Sequence, residues 1–337
     1  MKLFAYALRP YDELGYMEDF AKEQGFEFAW TADYPDASNL DLAKGADAVS
    51  IITNPMAPEI LDQFHELGVK AIATRSIGYD HIDVAYAHKL GMKIAHAAYP
   101  PQGVANYAIM LMMMAARKVK FIERENLVQD FGLKGKIGLD ISSATVGVIG
   151  TGRIGATVVK HLSSLGCKLL ANDPYPKDEA AKFADYVSLD ELYASSDIIT
   201  LHAPGSADNY HLIDAAALAK MKEGVVLVNA ARGSLIDTDA LIAALESGHV
   251  GACALDTIEN EAGLYYLDRS RDILPHRDRA ILDAFPNAIV TPHMAFYTRE
   301  DVKNMITSST GALLAFSRGE ETPVEVKELS PNSPMHA

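Results

Sequence analysis

The sequence predicts an α/β protein with two doubly wound parallel-sheet domains and a cleft between them. Short apolar runs alternate with helical patterns along almost the whole chain, as in parallel strands joined by crossover helices. A long apolar segment around residue 110 divides this alternation into two series. The chain has 337 residues, a length that suits two domains of ordinary size.

The first series covers about the first hundred residues. Apolar runs bounded by polar residues predict strands at 2–7, 48–52, 71–74 and 93–96. Amphipathic periodicity between these runs predicts helices at 12–24, 58–67 and 83–90.

A Met-rich segment, residues 103–127, then predicts one long buried helix, and a polar loop is expected at 134–143. The second series predicts strands at 145–149, 168–172, 198–201, 225–229, 250–255 and 288–291. It predicts helices at 154–165, 189–195, 214–220 and 238–247. Residues 263–283 form an expected long loop with a short helix near its end, and 330–337 an expected loose tail. A final helix at 299–319 is expected to pack back on the first half, which would make that domain discontinuous.

Composition restricts the classes of partner. The formal net charge of −15 argues against a nucleic-acid partner, which requires clustered Lys and Arg. The N-terminus lacks the features of a secretory signal, and the longest apolar stretch, 103–116, is too short to span a bilayer. Neither Cys167 nor Cys253 has the spacing of a zinc site. We therefore expect a cytoplasmic protein with no membrane, nucleic-acid or metal partner.

The strongest motif is a glycine-rich turn in the second series. Gly150, Gly152 and Gly155 form a GxGxxG pattern between a predicted strand and a predicted helix, as a Rossmann-like dinucleotide site requires. The helix N-terminus would offer free N–H groups to a pyrophosphate. Asp173 follows Gly155 by 18 residues, near the spacing of about 20 for the acid that binds the adenosine ribose. A carboxylate there would repel the 2′-phosphate of NADP, so the motif favours NAD.

Three side chains with catalytic chemistry follow later strands of the same series. Arg232, Glu261 and His293 each come after a predicted parallel strand, and open α/β sheets bind ligands at that edge. An arginine can hold a carboxylate bidentately, and a carboxylate beside an imidazole favours its protonated form. Each residue alone has an ordinary structural explanation. Together, beside a dinucleotide motif, they predict hydride transfer coupled to proton transfer.

At this point the chain resembles the D-isomer-specific 2-hydroxyacid dehydrogenase family, in its D-lactate dehydrogenase branch. That branch includes D-hydroxyisocaproate, aromatic 2-hydroxyacid and vancomycin-resistance D-lactate dehydrogenases. The resemblance covers about residues 1–326 and rests on the motifs TRSIGYDHID (74–83), GTGRIG (150–155), NAARGSLID (229–237) and TPHMAFYT (291–298). It implies an NAD-binding domain at 101–296 and a substrate domain formed by 1–100 with 297–337.

The resemblance also implies residue roles. Arg232 would bind the substrate carboxylate, helped by the backbone of Ile77 and Gly78, with Tyr99 bordering the substrate. His293 would be the acid–base residue, and Glu261 its partner. The remaining residues expected to line the cofactor, besides the three glycines and Asp173, are Arg153, Ile154, Ala203, Pro204, Asn209, Ala230, Ala231, Arg232 and Asp256.

Two departures from the family pattern leave the substrate open. Pro100-Pro101-Gln102 replaces a common Ser-Pro-Asn, which alters a hinge and one pocket edge. Ile51-Ile52-Thr53-Asn54 lacks an aromatic residue common in D-lactate enzymes, which suggests a roomier pocket. Pyruvate and larger branched or aromatic 2-oxo acids are therefore all candidate substrates, and the family implies a homodimer. The alternative is an NAD-sensing binding protein, like the transcriptional corepressors of this fold, which an assay of NADH oxidation would separate from an enzyme.

Overall fold

A computed structural model of the chain describes residues 1–327, so the predicted tail at 330–337 lies outside the described residues. The strands are β1 (Lys2–Ala5), β2 (Glu27–Trp30), β3 (Ala48–Ile51), β4 (Ala71–Thr74), β5 (Lys93–Ala95), β6 (Thr145–Ile149), β7 (Lys168–Asn172), β8 (Asp185–Tyr186), β9 (Ile198–Leu201), β10 (Val225–Asn229), β11 (Val250–Leu255) and β12 (Ala288–Val290).

The helices are α1 (Leu14–Gln24), α2 (Pro58–Glu66), α3 (Val84–Lys89), α4 (Gln102–Ala116), α5 (Val119–Leu127), α6 (Arg153–Ser163), α7 (Asp178–Ala181), α8 (Leu189–Ser195), α9 (Ala215–Ala219), α10 (Thr238–Glu246), α11 (Arg277–Ala284) and α12 (Arg299–Arg318). Within residues 1–327, no helix is long and apolar enough to cross a membrane. The described chain divides into two compact units, Met1–Pro100 with the residues from Tyr297 onward, and Pro101–Phe296.

The first unit is a parallel sheet of five described strands in the order β2-β1-β3-β4-β5. Side chains of β1 alternate between its faces: Phe4 packs with α2 and α3, and Leu3 with α1 and α12. Helix α12 contacts β4, β5 and α1, so the C-terminal helix completes one face of the N-terminal sheet. Helices on both faces explain why its central strands are almost wholly apolar.

A buried ion pair ties together the strand ends of this unit. Arg75, directly after β4, is fully buried, and its Nε donates to Glu13 Oε1 at 3.0 Å. The same guanidinium donates to Ser50 Oγ on β3 and to the carbonyl oxygens of Tyr6 and Ala7 after β1. A buried charge is tolerated only when it is paired and hydrogen-bonded in this way. The network therefore fixes the loop that follows β4.

The second unit is a parallel sheet of seven described strands in the order β12-β11-β10-β9-β6-β7-β8. Helices α4 and α6 pack on one face and α8, α9, α10 and α11 on the other. The chain passes from β6 outward to β7 and β8, and then returns to β9 on the other side of β6. The carboxyl ends of β6 and β9 therefore flank the topological switch point, where such sheets bind ligands. The predicted α/β class with two parallel sheets is confirmed.

The prediction of one long helix at 103–127 is wrong. The segment forms α4 and α5, and Lys118 between them has a left-handed backbone with φ of 54°. The break redirects α5, so that Lys120 Nζ donates to the carbonyl oxygens of Asp283 at 2.9 Å and Ala288 at 2.6 Å. Arg124 donates to the carbonyl of Ala284. The carbonyls of Asp283 and Ala284 lie at the end of α11, where a helix cannot pair them internally, and that of Ala288 begins β12.

Two edge strands and one short helix are absent from the sequence prediction. β2 is mostly exposed and begins with the charged Glu27, and β8 has only two residues. Edge strands lack one hydrogen-bonded neighbour and one buried surface, so they carry little of the apolar signal that predicts central strands. The short helix α7 is a single turn.

Candidate active site

The glycine-rich turn is shaped by close backbone packing at the switch point. Gly150 has φ of +88°, and a β-carbon there would lie 2.6 Å from the backbone nitrogen of Ala203, which follows β9. A β-carbon on Gly155 would overlap the carbonyl oxygen of Gly150. Both positions therefore require glycine for the protein's own packing.

Gly152 differs, because the space in front of it is open. Apart from its chain neighbours, no atom of the described residues lies within 4 Å of where its β-carbon would be. Gly152 is also the N-cap of α6, and it has no side chain to cap the first-turn N–H groups of the helix. Open space next to the uncapped N–H groups of a helix N-terminus fits a dinucleotide pyrophosphate. Arg153 and Ile154 form the first turn of that helix.

Asp173 is fixed at the end of β7. Its Oδ2 accepts hydrogen bonds from the Thr151 backbone N–H at 2.6 Å and from Thr151 Oγ1 at 3.2 Å, and its Oδ1 accepts from Tyr175 N–H at 2.8 Å. A carboxylate has about four lone-pair sites. Asp173 therefore keeps acceptor capacity for a ribose hydroxyl, while its orientation is set by the turn itself.

The segment after β9 forms the other wall of the switch point. His202 lies against the glycine turn, because a β-carbon on Gly155 would come within 3.3 Å of the His202 β-carbon. Its Nε2 is 3.0 Å from Thr200 Oγ1, and burial lowers the pKa of His202 to about 4. Farther along, the Asn209 amide donates to the Pro204 carbonyl at 3.1 Å. A neutral imidazole thus packs behind the turn.

Arg232 lies in a tight turn after β10. Asn229, fully buried, donates to the Arg232 carbonyl at 2.8 Å and accepts from the Ala231 N–H at 3.0 Å, so one side chain closes the turn that holds Ala230 and Ala231. A β-carbon on Gly233 would overlap the carbonyl oxygen of Ile258. The Arg232 turn therefore packs directly on the loop that follows β11, the next strand of the sheet.

That loop carries Glu261 and is anchored by Glu259. The Glu259 carboxylate accepts from the Thr238 N–H at 3.0 Å and from Thr238 Oγ1 at 2.7 Å, at the start of α10. Its other oxygen is 2.7 Å from His211 Nε2. Glu259 therefore fixes the backbone two residues before Glu261.

Glu261 and His293 form a direct pair. Glu261 Oε1 is 2.5 Å from His293 Nδ1, and Glu261 Oε2 accepts from the Ile258 N–H at 3.1 Å. The two side chains are 24% and 28% exposed, so the pair is partly shielded yet reachable. The structure thus brings together two of the three predicted catalytic residues. Arg232 is on the neighbouring turn, and its Nη1 donates to the Ala231 carbonyl at 2.8 Å.

Asp256 organises the turn that presents His293. Its buried carboxylate accepts from Thr291 Oγ1 at 2.6 Å, from Met294 N–H at 3.0 Å and from Ala295 N–H at 2.8 Å. Its carbonyl accepts from the His293 N–H at 2.8 Å. The expected cofactor contact of Asp256 stays a prediction, whereas its support of the His293 turn is visible in these bonds.

The predicted substrate residues Ile77, Gly78 and Tyr99 lie in the first unit. The loop after β4 that carries Ile77 and Gly78 is closed by Ser76 Oγ, which donates to the Gly78 carbonyl at 2.7 Å. Tyr99 comes shortly after β5 and is partly exposed. Their contacts with substrate stay predictions. Across the part of the chain that is described, no group of three or more His, Cys, Asp or Glu is placed to hold a metal ion.

Sequence reasoning missed Asn229, Glu259 and Tyr266 as residues that support the site. Asn229 ends an otherwise apolar strand, so a polar residue in a buried run could have indicated its role. Tyr266 donates to the His293 carbonyl from an irregular loop, and nothing in the sequence pattern marks it.

One edge of this sheet offers both a cradle for a dinucleotide and a histidine that can exchange a proton. The second unit therefore defines a nicotinamide-dependent dehydrogenase. Comparison with known proteins narrows that class. Residues 109–295 match the family described as D-isomer specific 2-hydroxyacid dehydrogenase, NAD binding domain. The chain is 40% identical to an aromatic 2-oxoacid reductase of Clostridium sporogenes over 309 aligned residues. This alignment covers 91% of this chain and 93% of that protein.

Solved structures of the same family have a similar fold. A D-lactate dehydrogenase from Treponema pallidum gives a TM-score of 0.88 at 32% identity, covering 97% of this chain and all of that one. A D-2-hydroxyisocaproate dehydrogenase gives a TM-score of 0.88 at 33% identity with the same coverage. The chain belongs to the D-isomer specific 2-hydroxyacid dehydrogenase family.

The protein is thus an NAD-dependent D-2-hydroxyacid dehydrogenase of the D-lactate dehydrogenase and aromatic 2-oxoacid reductase type. The predictions of family, enzyme class and NAD are confirmed. Membership of an enzyme family favours turnover over the NAD-sensing binding protein considered above.

Proposed function

We propose that the enzyme reduces 2-oxo acids to D-2-hydroxy acids, reversibly, with His293 and Glu261 as the acid–base pair and Arg232 as the carboxylate-binding residue. The observation that carries this proposal is the 2.5 Å separation of His293 Nδ1 from Glu261 Oε1 at the carboxyl edge of the NAD-binding sheet. When bound, NAD supplies or accepts the hydride at the substrate C2. The chain's residues must then hold the substrate and exchange one proton.

The pair is arranged for that proton. In this proposal Nδ1–H donates a hydrogen bond to Glu261 and keeps its proton. Nε2 is then the ring nitrogen that gives a proton to the developing hydroxyl oxygen during reduction. Ile258 N–H holds the second Glu261 oxygen, so the carboxylate keeps its orientation as the imidazole changes charge. In oxidation of the hydroxy acid, Nε2 takes the proton back.

Arg232 suits the substrate carboxylate because its guanidinium is always charged and can bind a carboxylate bidentately. Asn229 and Gly233 fix the backbone of its turn on both sides, so the guanidinium extends from a fixed point. Within the proposal, residues 101–296 bind the cofactor, and residues 1–100 with 297–337 form the substrate domain. The cofactor contacts are those expected of Gly150, Gly152, Arg153, Ile154, Gly155, Asp173, Ala203, Pro204, Asn209, Ala230, Ala231, Arg232 and Asp256.

We propose a substrate with a side chain larger than that of pyruvate. Ile52 and Asn54 follow β3 where an aromatic residue is common in D-lactate enzymes, and both are buried. The similar proteins include an aromatic 2-oxoacid reductase and a D-2-hydroxyisocaproate dehydrogenase. Phenylpyruvate and 4-methyl-2-oxopentanoate should therefore match or exceed pyruvate in kcat/KM. A preference for pyruvate of more than about tenfold would reject this part.

The acid–base proposal is tested by His293→Ala. Turnover of a 2-oxo acid should fall by about 10²–10⁴-fold, the usual contribution of a positioned acid–base residue. The affinity for NADH, measured by its fluorescence, should stay within about twofold. His65→Ala, an exposed histidine on α2, is the matched control and should behave as the unmodified enzyme. Turnover of His293→Ala within about tenfold of the control would contradict the assignment.

The proposal includes a homodimer. Five apolar side chains between residues 127 and 137 are 73–88% exposed, and we refer to them as the 127–137 patch: Leu127, Val128, Phe131, Leu133 and Ile137. Several large apolar side chains exposed within a short segment are typical of an association surface, because their contact with water is unfavourable. A cytoplasmic location stays a prediction.

A further inference from the structure

We propose that Tyr266 is a positioning residue for His293, acting through the backbone of the acid–base residue. This inference rests on the proposed role of His293. Tyr266 Oη donates a hydrogen bond to the His293 carbonyl oxygen at 2.7 Å in a partly buried setting. The proton of that hydroxyl is thereby committed to the backbone, so Tyr266 supports the acid–base group without exchanging a proton with substrate.

The backbone of His293 needs such support, because it is left-handed with φ of 49°. A residue with a β-carbon adopts this conformation at a cost of about 1 kcal/mol, and keeps it only where the surroundings hold it. The His293 N–H is held by the carbonyl oxygens of Asp256 at 2.8 Å and Thr291 at 3.0 Å. Tyr266 holds the opposite end of the residue, its carbonyl group.

Tyr266 also contacts the chain beyond His293. Its ring meets Phe296 edge-on, with centroids 6.1 Å apart and planes at 84°. This geometry is a favourable one for aromatic pairs. One side chain therefore fixes the His293 carbonyl and also packs against the residue three positions later. Tyr266 is itself left-handed, with φ of 67°, so its loop is shaped to place the hydroxyl there.

The loop after β11 thus holds His293 twice. Glu261 orients the imidazole through Nδ1, and Tyr266, five residues later, orients the peptide that follows the α-carbon. The Leu264 N–H donates to the Glu261 carbonyl at 3.0 Å, which keeps the two segments of the loop together. Without the Tyr266 hydroxyl, the peptide that follows His293 keeps only the bond from its Met294 N–H to Asp256. We expect the His293 carbonyl to shift, and Nε2 to be displaced with it, while Glu261 remains in place.

The test compares Tyr266→Phe with Tyr265→Phe. Tyr265 is the neighbouring tyrosine, and its hydroxyl accepts from Arg279 Nη1 at 2.9 Å, so both variants lose one hydrogen-bonded hydroxyl from the same loop. Tyr266→Phe should lower kcat about tenfold while the KM for the 2-oxo acid and the affinity for NADH change less than about twofold. Tyr265→Phe should keep kcat within about twofold. If Tyr266 had only a structural role, Tyr266→Phe and Tyr265→Phe would lower the melting temperature to a similar extent. In that case kcat would not fall specifically in Tyr266→Phe.

A second measurement needs no turnover. The proton shared by His293 Nδ1 and Glu261 should give a strongly downfield ¹H NMR resonance that is absent from His293→Ala. In Tyr266→Phe this resonance should shift or broaden, and in Tyr265→Phe it should stay in place. An unchanged resonance together with kcat within twofold of the unmodified enzyme would overturn the inference. If His293→Ala were fully active, the proposed function would fail, and the resonance would still report whether Tyr266 positions His293.

Discussion

Residues with left-handed backbone and a side chain gather around the predicted acid–base pair. In the second unit His211, Asn260, Tyr266 and His293 have φ values of 51°, 56°, 67° and 49°. Each such conformation is disfavoured by about 1 kcal/mol and survives only where hydrogen bonds and packing enforce it. His211 is hydrogen-bonded to Glu259, and His293 to Glu261. The two carboxylates therefore help to hold the left-handed backbone at both histidines. None of the four is glycine, the residue that marks a left-handed position most clearly in a sequence.

His202 gives a prediction at the same scale. Burial lowers its pKa to about 4, against about 6.5 in an unfolded chain, so the folded state binds fewer protons between these values. Its contribution to stability is complete above about pH 6.5 and is lost as the pH falls toward 4. From pH 7.5 to pH 5 the free energy of unfolding should fall by about 1–2 kcal/mol through this group, allowing for its partial exposure.

His202→Gln isolates that contribution, because glutamine can still bond Thr200 and does not titrate. Urea unfolding at pH 7.5 and pH 5 should show a smaller loss of stability in the variant than in the unmodified protein, by about 1–2 kcal/mol. His65→Gln, at an exposed position, is the control and should follow the unmodified protein. Equal pH dependence in all three proteins would mean that the pKa of His202 is not lowered in the folded protein.

Among the elements, buried central strands are the part of the fold that the sequence predicts best. β4, β6, β7, β9, β10 and β11 have the predicted bounds, since both of their faces are covered and their residues are mainly apolar. The break between α4 and α5 is not predictable, because every residue from 115 to 121 is compatible with a helix. What ends α4 is tertiary: the Leu139 N–H donates to the Ala116 carbonyl at 2.8 Å, and α5 bonds to the end of α11.

That break can be tested by two substitutions at one position. Lys118→Ala and Lys118→Gly both remove the bond from Lys118 Nζ to the Gly135 carbonyl. In a continuous helix alanine is favoured over glycine by about 1 kcal/mol, whereas at a left-handed position glycine is favoured. Lys118→Gly should therefore be the more stable variant by about 1 kcal/mol in urea unfolding. The opposite order would show that the helix is continuous, as the sequence alone predicts.

The strand–turn–helix element at Gly152 gives a second test. Since the cradle in front of Gly152 is open and its backbone φ is −61°, Gly152→Ala should fold with little change in melting temperature. The added methyl group would occupy the space assigned to the pyrophosphate, so the affinity for NADH should fall at least about tenfold, the effect of losing about 1.4 kcal/mol. Gly15→Ala, at an open position on α1, is the matched control. Unchanged NADH binding by Gly152→Ala would place the dinucleotide elsewhere.

At the scale of the whole molecule, the predicted site depends on topology more than on any single motif. Parallel strands deliver their carboxyl ends to one edge, so the order of Arg232, Glu261 and His293 along the chain suffices to predict that they share an edge. Their support is not predictable in this way. Asp256 bonds to Ala295, 39 residues later, and Tyr266 bonds to His293, 27 residues later, through loops without periodicity.

Association is the property of the whole molecule that can be tested most directly. The 127–137 patch exposes five large apolar side chains at the end of α5 and in the loop after it, although the chain carries a net charge of −15. Like charge opposes association of two copies, so the proposed dimer must depend on apolar burial, and added salt should not dissociate it. Light scattering after gel filtration should give about twice the chain mass of 36.5 kDa in both 0.1 M and 0.5 M NaCl.

A charged residue within the patch should disrupt this assembly, because an unpaired carboxylate is costly to bury. Leu133→Asp should shift the protein toward the monomer mass at micromolar concentration, while Ile273→Asp should not. Ile273 is 98% exposed in the same unit but outside the patch, so it controls for the general effect of one more negative charge. A monomer mass for the unmodified protein would reject the dimer. An unchanged dimer in Leu133→Asp would place the interface on another surface. The 127–137 patch would then contact a different partner.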